Sequence, residues 1–170
     1  MPSPYLYTVD RLVSVRIGNT PEEGGMHMKL REVMTNPVIR IHPDETVSVA
    51  ARTLEHYNIG ILPVCGADGR LYGLVTDRDL VTRCLASGRS PGTTPVRDVM
   101  TARVISARPD MDTGLAASLM GSNQIRRLPV VENGKLCGMV SLGDLAVQQE
   151  STLEAGAALS GISSGLARGK

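Results

Sequence analysis

The sequence predicts a mixed α+β protein of two β-α-β-β-α repeats packed sheet to sheet with pseudo-twofold symmetry. Three observations carry this expectation: the chain repeats itself at a constant offset, each copy shows one helical stripe between strand-like apolar runs, and a Gly-containing turn joins two strands in each copy. Laying LREVMTNPVIRIHPDETVSVAARTLEHYNIGILPV above VRDVMTARVISARPDMDTGLAASLMGSNQIRRLPV aligns Arg31 with Arg97, Met34 with Met100, Pro43 with Pro109 and Pro63 with Pro129. One residue is then lost in a turn, CGADGR against VENGK, and Gly73 matches Gly138. A single copy is too small to bury both faces of its sheet, so the two are expected to share a core.

In chain order, residues 1–25 lie outside the repeat. LVSVRI alternates like an edge strand before PEEGG breaks it, which predicts an added strand or a disordered arm. The first repeat spans 26–88. It opens with a short amphipathic turn containing VMT, followed by a brief strand, VIRI, closed by Pro43-Asp44. TVSVAARTLEHY places Val47, Ala50, Ala51 and Leu54 on one helical stripe, and two strands, ILPV and LYGLVT, follow around Asp68-Gly69. Residues 89–95 form a linker, since SGRSPGTTP is rich in Gly, Pro, Ser and Thr. The second repeat, 96–150, has RVISA, a helix with Leu115, Leu119 and Met120 inward, and RLPVV and LCGMVS around Asn133-Gly134. Residues 151–170 predict a C-terminal helix around Leu153, Ala157, Leu159 and Ile162, then a tail.

Composition excludes several functions. Charged residues make up 21% of the chain yet nearly cancel to a net +1, giving no electrostatic grip on nucleic acid or membranes. Aromatics are 2%, without Trp or Phe, so base-stacking platforms are not expected either. No run approaches the roughly 18 apolar residues of a membrane span. Cys65, Cys84 and Cys137 lack the close spacings of a zinc site; Cys65 and Cys137 flank strand-like runs and read as buried free thiols, and the compartment is expected to be reducing and cytoplasmic. His27, His42 and His56 stand in no nucleophile or metal arrangement and read as surface residues. No general base is paired with a nucleophile and no Walker loop or cofactor fingerprint is present, so no catalytic or metal residues are assigned.

The chemistry concentrates in GLVTDRD, from Gly73 to Asp79, and GMVSLGD, from Gly138 to Asp144. Each ends with a hydroxyl residue followed three later by an acid, the pattern of a capping box at a helix start. Each also has a glycine inside its strand, which marks close approach by a ligand or another backbone. Helix-start N–H groups and a hydroxyl suit a phosphate, and an aspartate suits the vicinal diol of a ribose. Cap and ligand site are both open readings of these residues.

These motifs, the VMT openings and the LPV strands resemble a tandem pair of CBS (cystathionine β-synthase) domains, a Bateman module, across residues 29 to about 150. The chain is particularly similar to small stand-alone bacterial proteins of two CBS repeats. The resemblance implies a non-catalytic sensor with two clefts between the repeats for an adenosine-type ligand. AMP, ADP or ATP is expected, with S-adenosylmethionine or NAD as alternatives, and no cofactor is required. It gives the ribose role to Asp79 and Asp144 and the phosphate role to Thr76 and Ser141, beside Gly73 and Gly138, with the base enclosed around Val38 and Val104. A basic pair before LPV contacts phosphate in nucleotide-binding members, so Arg126 and Arg127 are expected to face the Thr76 and Asp79 cleft. The weaker cleft, of Ser141 and Asp144, then faces Gly60 and Ile61. The family also implies a flat homodimer and an effector protein that the sequence does not name. The opposing expectation is an assembly scaffold whose clefts are vestigial or empty.

Overall fold

The structure, a computed structural model, describes residues 12–14, 28–147 and 152–167. Apart from 12–14, the expected arm lies outside these residues, as do His27 and the tail beyond 167. The strands are β1 (Leu12–Ser14), β2 (Ile61–Cys65), β3 (Leu71–Thr76), β4 (Val104–Ser106), β5 (Arg127–Glu132) and β6 (Lys135–Ser141). The helices are α1 (Leu30–Val33), α2 (Val47–His56), α3 (Asp77–Asp79), α4 (Thr113–Ser122), α5 (Leu142–Ala146) and α6 (Thr152–Ala167). Helix α3 continues through Leu80–Leu85 as a wider π-helical turn, and Val96–Asp98 form a 3₁₀ turn. The strands pair as β1 with β4, β2 with β3 and β5 with β6, a mixed α+β arrangement. No helix among the described residues is long and apolar enough to cross a membrane.

Two compact units result, and they cut across the sequence repeats. One holds Ile39–Val104 with Gly134–Leu136 and the described residues of Met1–Val13; the other holds Ile105–Asn133 with the described residues of Ser14–Val38 and Cys137–Lys170. The opening segment of each repeat therefore belongs to the unit built mainly from the other repeat. Backbone hydrogen bonds show how each is held. In the first unit Val96 and Arg97 donate to the carbonyls of Glu45 and Pro43, and Thr101 and Leu74 exchange hydrogen bonds of 2.8 and 3.0 Å. In the second, Leu30 and Arg31 donate to Met111 and Pro109, while Thr35 and Met139 exchange bonds of 2.9 and 3.2 Å. The same docking device is used twice.

The first unit's core gathers Ile41, Val47, Ala50, Leu54, Leu62, Val64, Val75, Leu80, Cys84, Val96, Val99 and Met100. Helix α2 starts because Thr46 accepts from the Val49 N–H, and the 89–95 segment adds to the cap: Val47 and Ser48 donate to the carbonyls of Thr94 and Pro91. The composition of a linker here serves a helix start. Strands β2 and β3 pair antiparallel with Val64 opposite Gly73, and a bulge follows Val64. The turn after it needs a left-handed residue, and Gly69 supplies it at φ +83°.

The second unit's core gathers Leu30, Ala107, Ala116, Ala117, Leu119, Met120, Leu128, Val130, Val140, Leu142, Leu145, Ala158 and Ile162. Asn133 and Gly134 both take positive φ, 51° and 80°, so its hairpin closes on the tight turn that Asn-Gly favours. Helix α4 is capped by Asp112, whose Oδ1 accepts from Gly114 and Leu115. α6 packs on α4 and α5, and a Cβ on Gly121 would stand 2.9 Å from the Ala158 Cα, so the helices meet nearly backbone to backbone.

Several expectations change. Ala51 and Leu115 are exposed, because the inward stripe of α2 is narrower and α4 turns Ala116 and Ala117 inward instead. α6 packs with Ala158 and Ile162, leaving Leu153, Ala157 and Leu159 outward, and the turn of α6 that meets Gly121 presents Ala158 there. VIRI forms no regular strand: Ile41 alone bridges Val64, and Pro37 and Pro43, which donate nothing, bracket it.

Candidate functional site

Each GhxTxxD-type motif occupies a strand-to-helix junction. Thr76 ends β3 and Asp79 sits in the first turn beyond it; Thr76 Oγ accepts from the Asp79 N–H at 3.1 Å, and Asp79 Oδ2 accepts from the Thr76 N–H at 2.9 Å. The Thr76 hydroxyl also donates to the same Oδ2 at 2.8 Å. In the second unit Ser141 N–H donates to Asp144 Oδ2 at 2.7 Å and Asp144 N–H to Ser141 Oγ at 3.0 Å. Both are complete capping boxes, each worth about 0.5–2 kcal/mol to its helix start. All four residues remain half-buried, so the polar atoms sit at the surface of each unit.

The residue two before each LPV stands beside the motif of its own repeat. Asp77 N–H donates to the Gly60 carbonyl at 3.3 Å, and Leu142 N–H to the Arg126 carbonyl at 3.1 Å. Gly60 is exposed and Ile61 half-buried in the first unit; Arg126 and Arg127 are exposed in the second, and neither has an ion pair among the described residues. Asp77 is exposed and accepts from the Arg78 N–H at 2.7 Å.

The motif glycines have a definite task. A Cβ on Gly73 would meet Met100 Sδ and the Thr101 carbonyl oxygen, each at 2.8 Å, and one on Gly138 would meet the Met34 side chain, its Cγ at 2.8 Å. The close approach is by the opening VMT segment, Val99–Thr101 in one unit and Val33–Thr35 in the other.

Together the first unit holds Gly60, Ile61, Gly73, Thr76, Asp79 and Val104, the last buried in β4. The second holds Arg126, Arg127, Gly138, Ser141, Asp144 and half-buried Val38. Each residue set expected for one cleft therefore draws on both units.

Arg83 is a participant that motif reading missed. Its Nη2 lies 3.4 Å from Asp79 Oδ1, while Nη1 donates to the Val99 carbonyl at 2.9 Å and to Thr101 Oγ at 3.1 Å. The available signal was its position four residues after Asp79. Among the described residues no group of three or more His, Cys, Asp or Glu side chains could hold a metal ion.

This architecture defines a duplicated α+β module with two equivalent capped strand-to-helix junctions. The chain belongs to the CBS domain family, whose profile matches residues 30–86 and 96–149. It is 43% identical over 134 residues to the CBS domain-containing protein YhcV of Bacillus subtilis, covering 79% of this chain and 94% of that one. Hypoxic response protein 1 of Mycobacterium tuberculosis is 33% identical over 116 residues, 68% of this chain and 81% of the relative. A crystal structure of Hypoxic Response Protein I with two coordinated zinc ions superposes with a TM-score of 0.65 at 33% identity, over 70% of this chain and 97% of that one. The CBS domain pair of protein MJ0100, in complex with 5-methylthioadenosine and S-adenosyl-L-methionine, superposes with a TM-score of 0.63 at 26% identity, over 71% and 94% of the two chains.

Proposed function

We propose that this chain is a non-catalytic, cytoplasmic regulatory module that binds an adenosine-type ligand, AMP, ADP or ATP, and responds by changing its conformation or its packing as a homodimer. The observation that carries the reading is the pair of capping boxes, each placing a hydroxyl and a carboxylate at a strand-to-helix junction at the surface of its unit. The ligands in the complex of the MJ0100 domain pair both contain adenosine, which supports the ligand class. In this reading Asp79 and Asp144 accept from ribose hydroxyls, Thr76 and Ser141 serve phosphate, and Arg126 and Arg127 add charge-assisted contacts that make the two sites unequal. The module acts on an effector protein by differential ligand affinity between two states.

Calorimetry and thermal shift against AMP, ADP, ATP, NAD, 5-methylthioadenosine and S-adenosylmethionine test it. Loss of charge-assisted bonds in Asp79→Ala is expected to weaken binding at least about tenfold. Arg126→Ala with Arg127→Ala should weaken ATP more than adenosine; unchanged affinities would remove the asymmetry. A second reading, an assembly scaffold without a physiological ligand, is favoured by the apolar exposure of Tyr57, Val81 and Leu85 in the first unit. A flat ligand screen with an intact dimer in light scattering decides for the scaffold.

A further inference from the structure

Asp79 divides its two oxygens between two tasks. Oδ2 is committed to the cap, accepting the Thr76 N–H at 2.9 Å and its hydroxyl at 2.8 Å. A carboxylate oxygen offers about two acceptor positions, so Oδ2 has none to spare. Oδ1 faces Arg83 Nη2 at 3.4 Å, with the Asp79 side chain 13% exposed and Arg83 46% exposed. The other end of the same guanidinium holds Val99 and Thr101.

We propose that Arg83 is a latch: a ligand diol, taking both acceptor positions of Asp79 Oδ1, displaces the guanidinium and so loosens its hold on Val99 and Thr101. This inference rests on the adenosine-site reading above. A diol donating from two neighbouring hydroxyls needs two acceptor positions, and the cap leaves only those on Oδ1. Arg83 and ligand therefore compete for one oxygen, and occupancy becomes coupled to the segment that packs over Gly73. Coupling is reciprocal: whatever fixes Val99–Thr101 against Arg83 weakens the ligand by the same factor. The second motif differs at the matching position, because the residue four after Asp144 is Gln148, which carries no charge. The latch makes one motif the responsive one on grounds independent of Arg126 and Arg127.

The test compares wild type, Arg83→Ala and Arg83→Gln with two neutral probes, adenosine and 2′-deoxyadenosine, which lacks the diol. Calorimetry is expected to show adenosine binding up to about fivefold more tightly to both variants, the range set by an exposed ion pair, with 2′-deoxyadenosine unchanged. In amide hydrogen exchange, adenosine should accelerate exchange across residues 99–101 in wild type and leave both variants unaffected. The latch is overturned if wild type binds adenosine and loses it in Asp79→Ala while the Arg83 variants match wild type in affinity, or if exchange at 99–101 ignores the ligand; the site reading then survives. Absence of adenosine binding in wild type and both variants overturns the site reading and the latch together.

Discussion

Replacing Gly73 with alanine puts a methyl group where the opening segment of the second repeat lies. The new Cβ would sit 2.8 Å from the Thr101 carbonyl oxygen, and ordinary contact begins at 3.4 Å, so the backbone must retreat by about 0.6 Å. Met100 Sδ, also at 2.8 Å, can swing away, but the carbonyl is held by the Leu74 N–H at 3.0 Å, while Thr101 N–H binds Leu74 at 2.8 Å. Overpacking costs about 1–3 kcal/mol and weakening this pair adds about 1 kcal/mol, giving about 2–4 kcal/mol. For 170 residues that lowers Tm by roughly 6–11 °C, read by circular dichroism or differential scanning fluorimetry. Gly138→Ala should cost less, because the nearest atoms it meets belong to the Met34 side chain and none is a backbone carbonyl. Gly143→Ala is the control: its Cβ meets only Ser141 Oγ, at 3.5 Å, and helix propensity favours alanine by up to about 1 kcal/mol. A Tm fall below about 2 °C in Gly73→Ala, or equal falls in Gly73→Ala and Gly143→Ala, would refute the close-approach argument.

Thiol reactivity should separate the cysteines. Burial pushes the Cys65 thiol up to about 11, and Cys84 is fully buried, whereas Cys137 is only half-buried. Mass-resolved alkylation at pH 8 is expected to label Cys137 first, and raising the pH to 9 should leave Cys65 protonated and slow. The Arg108 guanidinium, hydrogen-bonded to Asp110 at 3.0 Å, holds that carboxyl below its ordinary value. With the folded value depressed, the contribution to stability is present above the unfolded carboxylate range and lost as pH falls through the folded value. NMR titration should show Asp110 titrating late on acidification, and Arg108→Ala should return it to the ordinary range.

Much of this was legible in the residues. The repeat, the hairpin at Asn133-Gly134, the helix stripe of Val47, Ala50 and Leu54 and both Thr/Ser-to-Asp caps follow from short-range spacing, which the chain itself records. Exposed Ala51 and Leu115 were not legible, because periodicity shows which residues could face inward and not how wide the covering surface is. α6 chose Ala158 over Leu159 for a tertiary reason, the backbone approach at Gly121. The glycines of the motifs were legible as close-approach positions, but only coordinates could say that Met34 and Met100 are what approaches. Arg83 escaped because its partners lie both four residues before it and at Val99 and Thr101, sixteen and eighteen after.

The exchange of opening segments bears on ancestry. A half-length chain carrying one repeat would have both a VMT segment and a motif glycine to receive one, yet in this fold each segment lies against the glycine of the other repeat. It could complete its fold only by trading that segment with a second molecule, as a swapped dimer does. Duplication and fusion would then have converted an obligatory meeting of two chains into a tether, exchanging dependence on concentration for a fixed local one. The unit that was copied and the unit that folds are thus different pieces of the same chain.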